Sequence, residues 1–251
     1  MTDQPDLNDP IGAPGAKLAI PVLALLSALG IAYSVYLVFY GTPLEFGYNE
    51  AGKLNGSSLF FNQKIFYFHV AHAFWLFGAV FVSGASSIAY LVTRKAKWDD
   101  LASAATDVSV AFGAVVLITG SVWAKAAWDV WWHWEPRLTM SLLLWLVLVG
   151  YVLVRRFAGA GAERIAAGMA IFGMVGVPFI YKMVGSDSHP AAGGNGVVLT
   201  LAPEMKGPFW ICVVSFLCWF LVLVLSRVAS TRAERELREL REHGLDLGVL
   251  Q

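Results

Sequence analysis

Charge is what this chain has least of. Only 14% of its 251 residues are Asp, Glu, Lys or Arg, against about 25% in an average globular protein. That leaves too little polar surface to cover a soluble body of this size, in keeping with the mean hydropathy of +0.62. Net charge is missing too: 18 basic and 18 acidic residues cancel. A strongly basic nucleic-acid binder is thereby excluded, since phosphate affinity needs a surplus of Lys and Arg. Cysteine is scarce. Cys212 and Cys218 are six residues apart in one apolar run, a helical rise of about 9 Å that no disulfide spans. What remains, 57% of it apolar, is the composition of an integral membrane protein.

Six stretches are free of Asp, Glu, Lys and Arg: 18–44, 65–93, 108–124, 138–154, 165–181 and 207–226. A helical span needs roughly 20 apolar residues, with about 17 as the short limit, so the third to fifth must borrow flanking residues. Backbone groups in lipid must bond within their own segment unless a barrel closes, and the alternating pattern of a membrane barrel is missing. The expected fold is all-α, a polytopic membrane protein of six transmembrane helices, with Pro21 and Pro178 inside spans. The leader carries Asp3, Asp6 and Asp9 and no base, so the first run is expected to stay as an anchor rather than be cleaved as a signal peptide. The organisation expected is an N-terminal segment 1–17, a six-helix membrane domain 18–228 and a tail 229–251.

The basic residues divide unevenly between the two faces. Lys17, Arg94, Lys95, Lys97, Arg155, Arg156, Arg164, Arg227, Arg232, Arg235, Arg238 and Arg241 fall on one side. Lys53, Lys64, Lys125, Arg137, Lys182 and Lys206 fall on the other. The positive-inside rule puts the first set, with both termini, in the cytoplasm. The tail pairs Arg232 with Glu236, Arg235 with Glu239 and Arg238 with Glu242 at i,i+4, which predicts a solvated helix.

The rarer residues gather on the outward side. Trp128, Trp131, Trp132 and Trp134 crowd one gap, with Trp123 just before them, so half of the chain's 10 tryptophans lie between 123 and 134. Two readings fit: an interfacial aromatic belt, or a stacking surface for a planar aromatic ligand. Four of the five histidines, His69, His72, His133 and His189, lie on or near the same side. Ionisable groups in or beside spans are functional candidates because burying them is expensive. Singly, each suits a hydrogen-bonded structural role; together they suit a ligand. Two imidazoles from different segments, without a thiolate, fit haem iron with bis-histidine ligation. Zinc asks for a third or fourth ligand, which His72, His133, Glu135 or Asp187 can supply. Lys64, Lys125, Arg137 and Lys182 suit either haem propionates or lipid headgroups.

The run Trp128-Asp129-Val130-Trp131-Trp132-His133-Trp134-Glu135-Pro136-Arg137-Leu138-Thr139 resembles the tryptophan-rich WWD signature of the haem-handling superfamily. Within it the chain looks most like the CcmC family, the haem exporter protein C of cytochrome c maturation. Six spans, the short length, Phe68-His69-Val70 opening the second span and a histidine in the fifth gap agree. The related CcsA and CcmF lyases are larger. The resemblance implies a haem-delivery component of the cell inner membrane rather than an enzyme. His69 and His189 would be the axial ligands of a non-covalent, b-type haem. Trp123, Trp128, Trp131, Trp132, Trp134 and Glu135 would surround its ring, and Lys64, Lys125 and Arg137 would be candidates for its propionates. The implied partners are the haem chaperone CcmE and an ABC transporter of CcmA and CcmB with the small protein CcmD. The chain carries no Walker A pattern, so the ATPase would be a separate subunit.

The sequence departs from the family pattern where Asp129 replaces the usual Gly after the first tryptophan and Glu135 replaces the usual closing Asp. His72 is additional to that pattern and competes with His69 for the axial position. Two alternatives remain for the same ligand set: a b-type membrane cytochrome, or a haem lyase of the CcsA or CcmF kind. A solute permease predicts polar groups near mid-span, and the charge-free runs oppose it.

Overall fold

The computed structural model describes residues 14–42, 47–48, 54–55, 59–182, 198, 201 and 203–247. Six α-helices account for nearly all of them: α1 (Pro14–Tyr36), α2 (Leu59–Thr93), α3 (Ala96–Trp128), α4 (Pro136–Phe157), α5 (Ala162–Lys182) and α6 (Pro203–Asp246). A π-helical turn, Leu37–Gly41, prolongs α1, and Gly47–Tyr48 pairs antiparallel with Leu54–Asn55. All six helices contain a stretch long and apolar enough to cross a membrane, as the charge-free runs predict.

The helices outrun those stretches. α3 starts at Ala96, taking in Lys97, Asp99, Asp100 and Asp107, and α6 continues to Asp246. A charge ends an apolar run but not a helix, provided that it finds a counter-charge. Asp99 meets Arg155 at 2.8 Å and Asp100 meets Arg235 at 2.7 Å. The tail is therefore helical as expected, but its base is docked rather than wholly solvated. Arg235 makes its i,i+4 pair with Glu239 at 3.8 Å and turns a second nitrogen to Asp100 on α3.

Tight reversals keep sequential helices antiparallel. Between α2 and α3 the chain turns at Arg94, in the left-handed region at φ 58°, with its N–H on the Tyr90 carbonyl at 2.8 Å. Between α4 and α5 the same demand falls on Gly159 and Gly161 (φ 70° and 84°), where glycine adopts positive φ without a Cβ clash. Pro136 opens α4 in the first helical turn, a position that needs no backbone donor.

The α2–α3 seam sets the register of the bundle. His69 faces Thr119 and Gly120, Leu76 faces Gly113, and Ser83 faces Thr106 across 2.6 Å. Each step of seven residues up α2 is a step of seven down α3, the spacing of a left-handed antiparallel pair. Glycines at such contacts let backbones approach closely, which matters where lipid supplies no hydrophobic drive between helices. Elsewhere Gly30 of α1 lies against Ser215 of α6, and Gly84 of α2 against Met174 of α5. Leu76, Val80, Phe112, Leu144, Leu148, Val177 and Phe220 fill the centre. Leucines and aromatics also cover the outside, as in α1, where Leu18, Leu25 and Leu29 are each more than 60% exposed. A helix apolar all round is built for a core or for lipid.

A tryptophan-lined end of the bundle

The last turns of α3 and the link to α4 carry the tryptophans. Trp123 and Trp128 are still helical. Asp129 then closes α3 in the left-handed conformation, φ 59°, with its N–H on the Lys125 carbonyl. Positive φ explains why glycine suits this position; Asp tolerates it better than most residues. Lys125 donates to the Asp129 carboxylate at 2.6 Å and to its carbonyl at 3.0 Å. That ammonium holds the Asp129 carboxyl below the usual carboxylate range.

The rings meet edge to face. Trp123 packs on Trp128 at 4.9 Å and 87°, Trp128 on His133 at 5.3 Å and 86°, and Trp132 on Trp134 at 5.9 Å and 74°. They thus offer both edges and faces rather than one flat sheet. Trp131 and Trp134 are 61% and 76% exposed. The indole N–H of Trp132 is buried and has no hydrogen-bond partner among the described residues. Two tryptophans elsewhere are tied into the packing between helices: Trp75 donates to the Val213 carbonyl at 2.8 Å and Trp145 to that of Val110 at 2.9 Å.

His69 lies deeper, on the α2 face that meets α3. Its Nδ1 is 2.9 Å from the Thr119 hydroxyl, and a Cβ added to Gly120 would sit 3.1 Å from its Cε1. Thr119 and Trp123 are four residues apart on α3, hence on one helix face, a turn apart. The histidine and the tryptophan segment are thereby joined through α3. His72 has a different setting. Its Nδ1 bonds the Phe68 carbonyl at 2.7 Å, and its ring is wedged between Phe112 and Phe216, with centroids at 5.1 and 4.2 Å.

Of the basic residues named above, Lys64 is buried and donates to the Thr42 carbonyl at 3.1 Å. Lys125 is paired with Asp129. Glu135 immediately precedes α4, and Arg137 lies in its first turn. His189 and Asp187 lie outside the described residues, as does the Lys182 side chain. Among the described residues no group of three or more His, Cys, Asp or Glu side chains is gathered as a metal site, so the zinc set has no assembled counterpart there. Thr119 and Gly120 were not singled out from sequence. The available signal was a Thr-Gly-Ser break in an apolar run, one turn before Trp123.

Known proteins resemble this chain along most of its length. The family model for haem exporter protein C, CcmC, matches residues 13–243. Heme exporter protein C of Escherichia coli (strain K12) is 30% identical over 204 residues, 78% of this chain and 80% of that one. The Bradyrhizobium diazoefficiens protein of the same name is 31% identical over 71% of this chain and 70% of its own length. That of Paracoccus denitrificans is 27% identical over 70% and 76%. With six spanning helices and this likeness, the chain belongs to the haem exporter protein C family, multi-pass membrane components of haem export in cytochrome c biogenesis.

Proposed function

We propose that this protein is a haem carrier that holds its cargo at the tryptophan end and surrenders it to a soluble-domain partner, the chaperone CcmE. In this reading the tryptophan end faces the periplasm across the cell inner membrane and both termini are cytoplasmic, following the distribution of basic residues. His69 and His189 are the axial imidazoles, and Trp123, Trp128, Trp131, Trp132, Trp134 and Glu135 surround the ring. Arg137 and Lys125 are the better placed of the basic residues for the propionates, because the Lys64 ammonium is buried on a backbone carbonyl, whereas the Lys125–Asp129 pair is open to solvent and can exchange partners. CcmA, CcmB and CcmD complete the export system.

One observation carries the reading: a histidine inside a span is tied to the face of α3 that continues, one turn on, into the tryptophan segment. The fit is chemical as well. The donor set is nitrogen without thiolate, as bis-histidine haem requires, and the bare backbone of Gly120 makes room for the imidazole, since a Cβ there would sit 3.1 Å from Cε1. The unpartnered Trp132 N–H is a donor facing no protein acceptor among the described residues. Two neutral imidazoles grip iron reversibly, and the exposed Trp131 and Trp134 leave the site open to a partner.

The test is a comparison of haem per protein in wild type, His69→Ala, His189→Ala and Trp132→Ala, followed by addition of haem-free CcmE. Either histidine variant should lose about tenfold or more in retention, exceeding Trp132→Ala, and the Soret band of the wild type should pass to CcmE. Equal retention in all variants rejects the ranking. A haem that cycles between oxidation states yet stays with the chain replaces the carrier by a b-type cytochrome.

A further inference from the structure

The hydrogen bonding around His69 fixes more than its position. A threonine hydroxyl has one proton. Thr119 Oγ1 donates it back along α3, the oxygen lying 2.7 Å from the Val115 carbonyl and 3.3 Å from that of Val116. The hydroxyl proton is thus spent on the helix, and what Thr119 Oγ1 offers across the seam is a lone pair. His69 Nδ1, 2.9 Å away, must then be the donor, which leaves Nε2 as the unprotonated nitrogen of a neutral imidazole. Gly120, next along α3, takes the ring against its bare backbone, so the imidazole is held from one side by a hydrogen bond and from the next residue by close packing. Neither restraint comes from the helix that carries His69. For His72 the comparable bond is to its own helix, and two phenyl rings occupy its faces.

We infer that Thr119 is the positioning residue for His69: by accepting the Nδ1 proton it selects the tautomer whose Nε2 can bind iron, and orients the ring. This rests on the haem-holding reading given above for His69. Metal-ligating histidines depend on such a partner at the other nitrogen, which sets ring orientation and raises ligand basicity. An acceptor at Nδ1 also favours the ferric state, so its removal has a redox signature that mere loss of packing lacks.

The experiment uses the full-length protein in detergent with Thr119→Val, which keeps the shape but removes the acceptor, and Thr119→Ser, which restores it. Haem retention, the low-spin ferric EPR spectrum and the midpoint potential are read alongside His69→Ala. Thr119→Val should retain haem about tenfold less well, shift the potential in the positive direction and alter the EPR g-values, with Thr119→Ser close to wild type. If Thr119→Val accumulates poorly, Thr119→Ala carries the same comparison. Wild-type potential and retention in the threonine variants, with haem lost from His69→Ala, overturn the inference and leave the carrier reading intact. Wild-type haem content in His69→Ala, or no Soret band in the wild type, overturns both.

Discussion

The two ends of the bundle are held by different forces. At the arginine end, α3, α4 and α6 are clamped by Asp99–Arg155, Asp100–Arg235 and Asp107–Arg227, the last extended to Glu234 at 2.8 Å. Asp100 is only 2% exposed, and polar clefts of about 230 and 400 Å³ lie among these charges. At the tryptophan end, indole edges and faces meet one another. The Lys125–Asp129 ion pair there is largely open to solvent, the Asp129 side chain being 94% exposed. One end spends its charges on joining helices. The other leaves large aromatic groups exposed, Trp131 and Trp134 above all, a patch of the kind that marks a contact with a partner, a membrane or a ligand.

Three substitutions and one control probe that contrast. Asp100→Asn removes the buried negative charge that faces Arg235, leaving the guanidinium with the longer Glu239 pair. Breaking a fully buried pair costs about 3–5 kcal/mol, and the one-third exposure of Arg235 lowers the expectation to about 2 kcal/mol. The loss should appear as a lower melting temperature in detergent, with haem per protein unchanged; a haem deficit would mean that the two ends are coupled. A smaller effect is expected from Gly120→Ala. The new Cβ presses on His69, and overpacking of this kind costs about 1 kcal/mol or somewhat more. Retention should fall with stability. Gly168→Ala in α5, where the added Cβ meets nothing within 4 Å, is the control and should leave both unchanged. The least disturbance is expected from Asp129→Gly, which suits the left-handed backbone and gives up only an exposed ion pair. Its melting curve should overlay that of the wild type, and a large drop would show that the Lys125 contact holds the end of α3 closed.

How far the chain could be read from its letters varied with the range of the interaction. Spans 18–44 to 207–226 were visible because bilayer thickness fixes how many uncharged residues a helix must supply. Their extents were not. Asp99, Asp100 and Asp107 look like the edge of a span until arginines from α4 and α6 are brought to them. The tail is a helix by its i,i+4 pattern, but nothing in that pattern tells Arg235 to reach α3. At the candidate site, the tryptophans and His69 stood out by rarity and density. Thr119 did not, because an isolated threonine in an apolar run looks like one that simply bonds its own helix, and Thr119 does that as well.

Hydropathy, charge asymmetry and the cluster of indoles are properties of short windows of chain. They are enough to establish a six-span membrane protein with an aromatic end. Which side chain answers which across the bundle is another kind of fact. His69 meets Thr119 because a seven-residue register aligns α2 with α3, glycine by glycine, over several turns. Side-chain partners fifty residues apart are chosen by how two helical surfaces interlock, and no single window contains both surfaces.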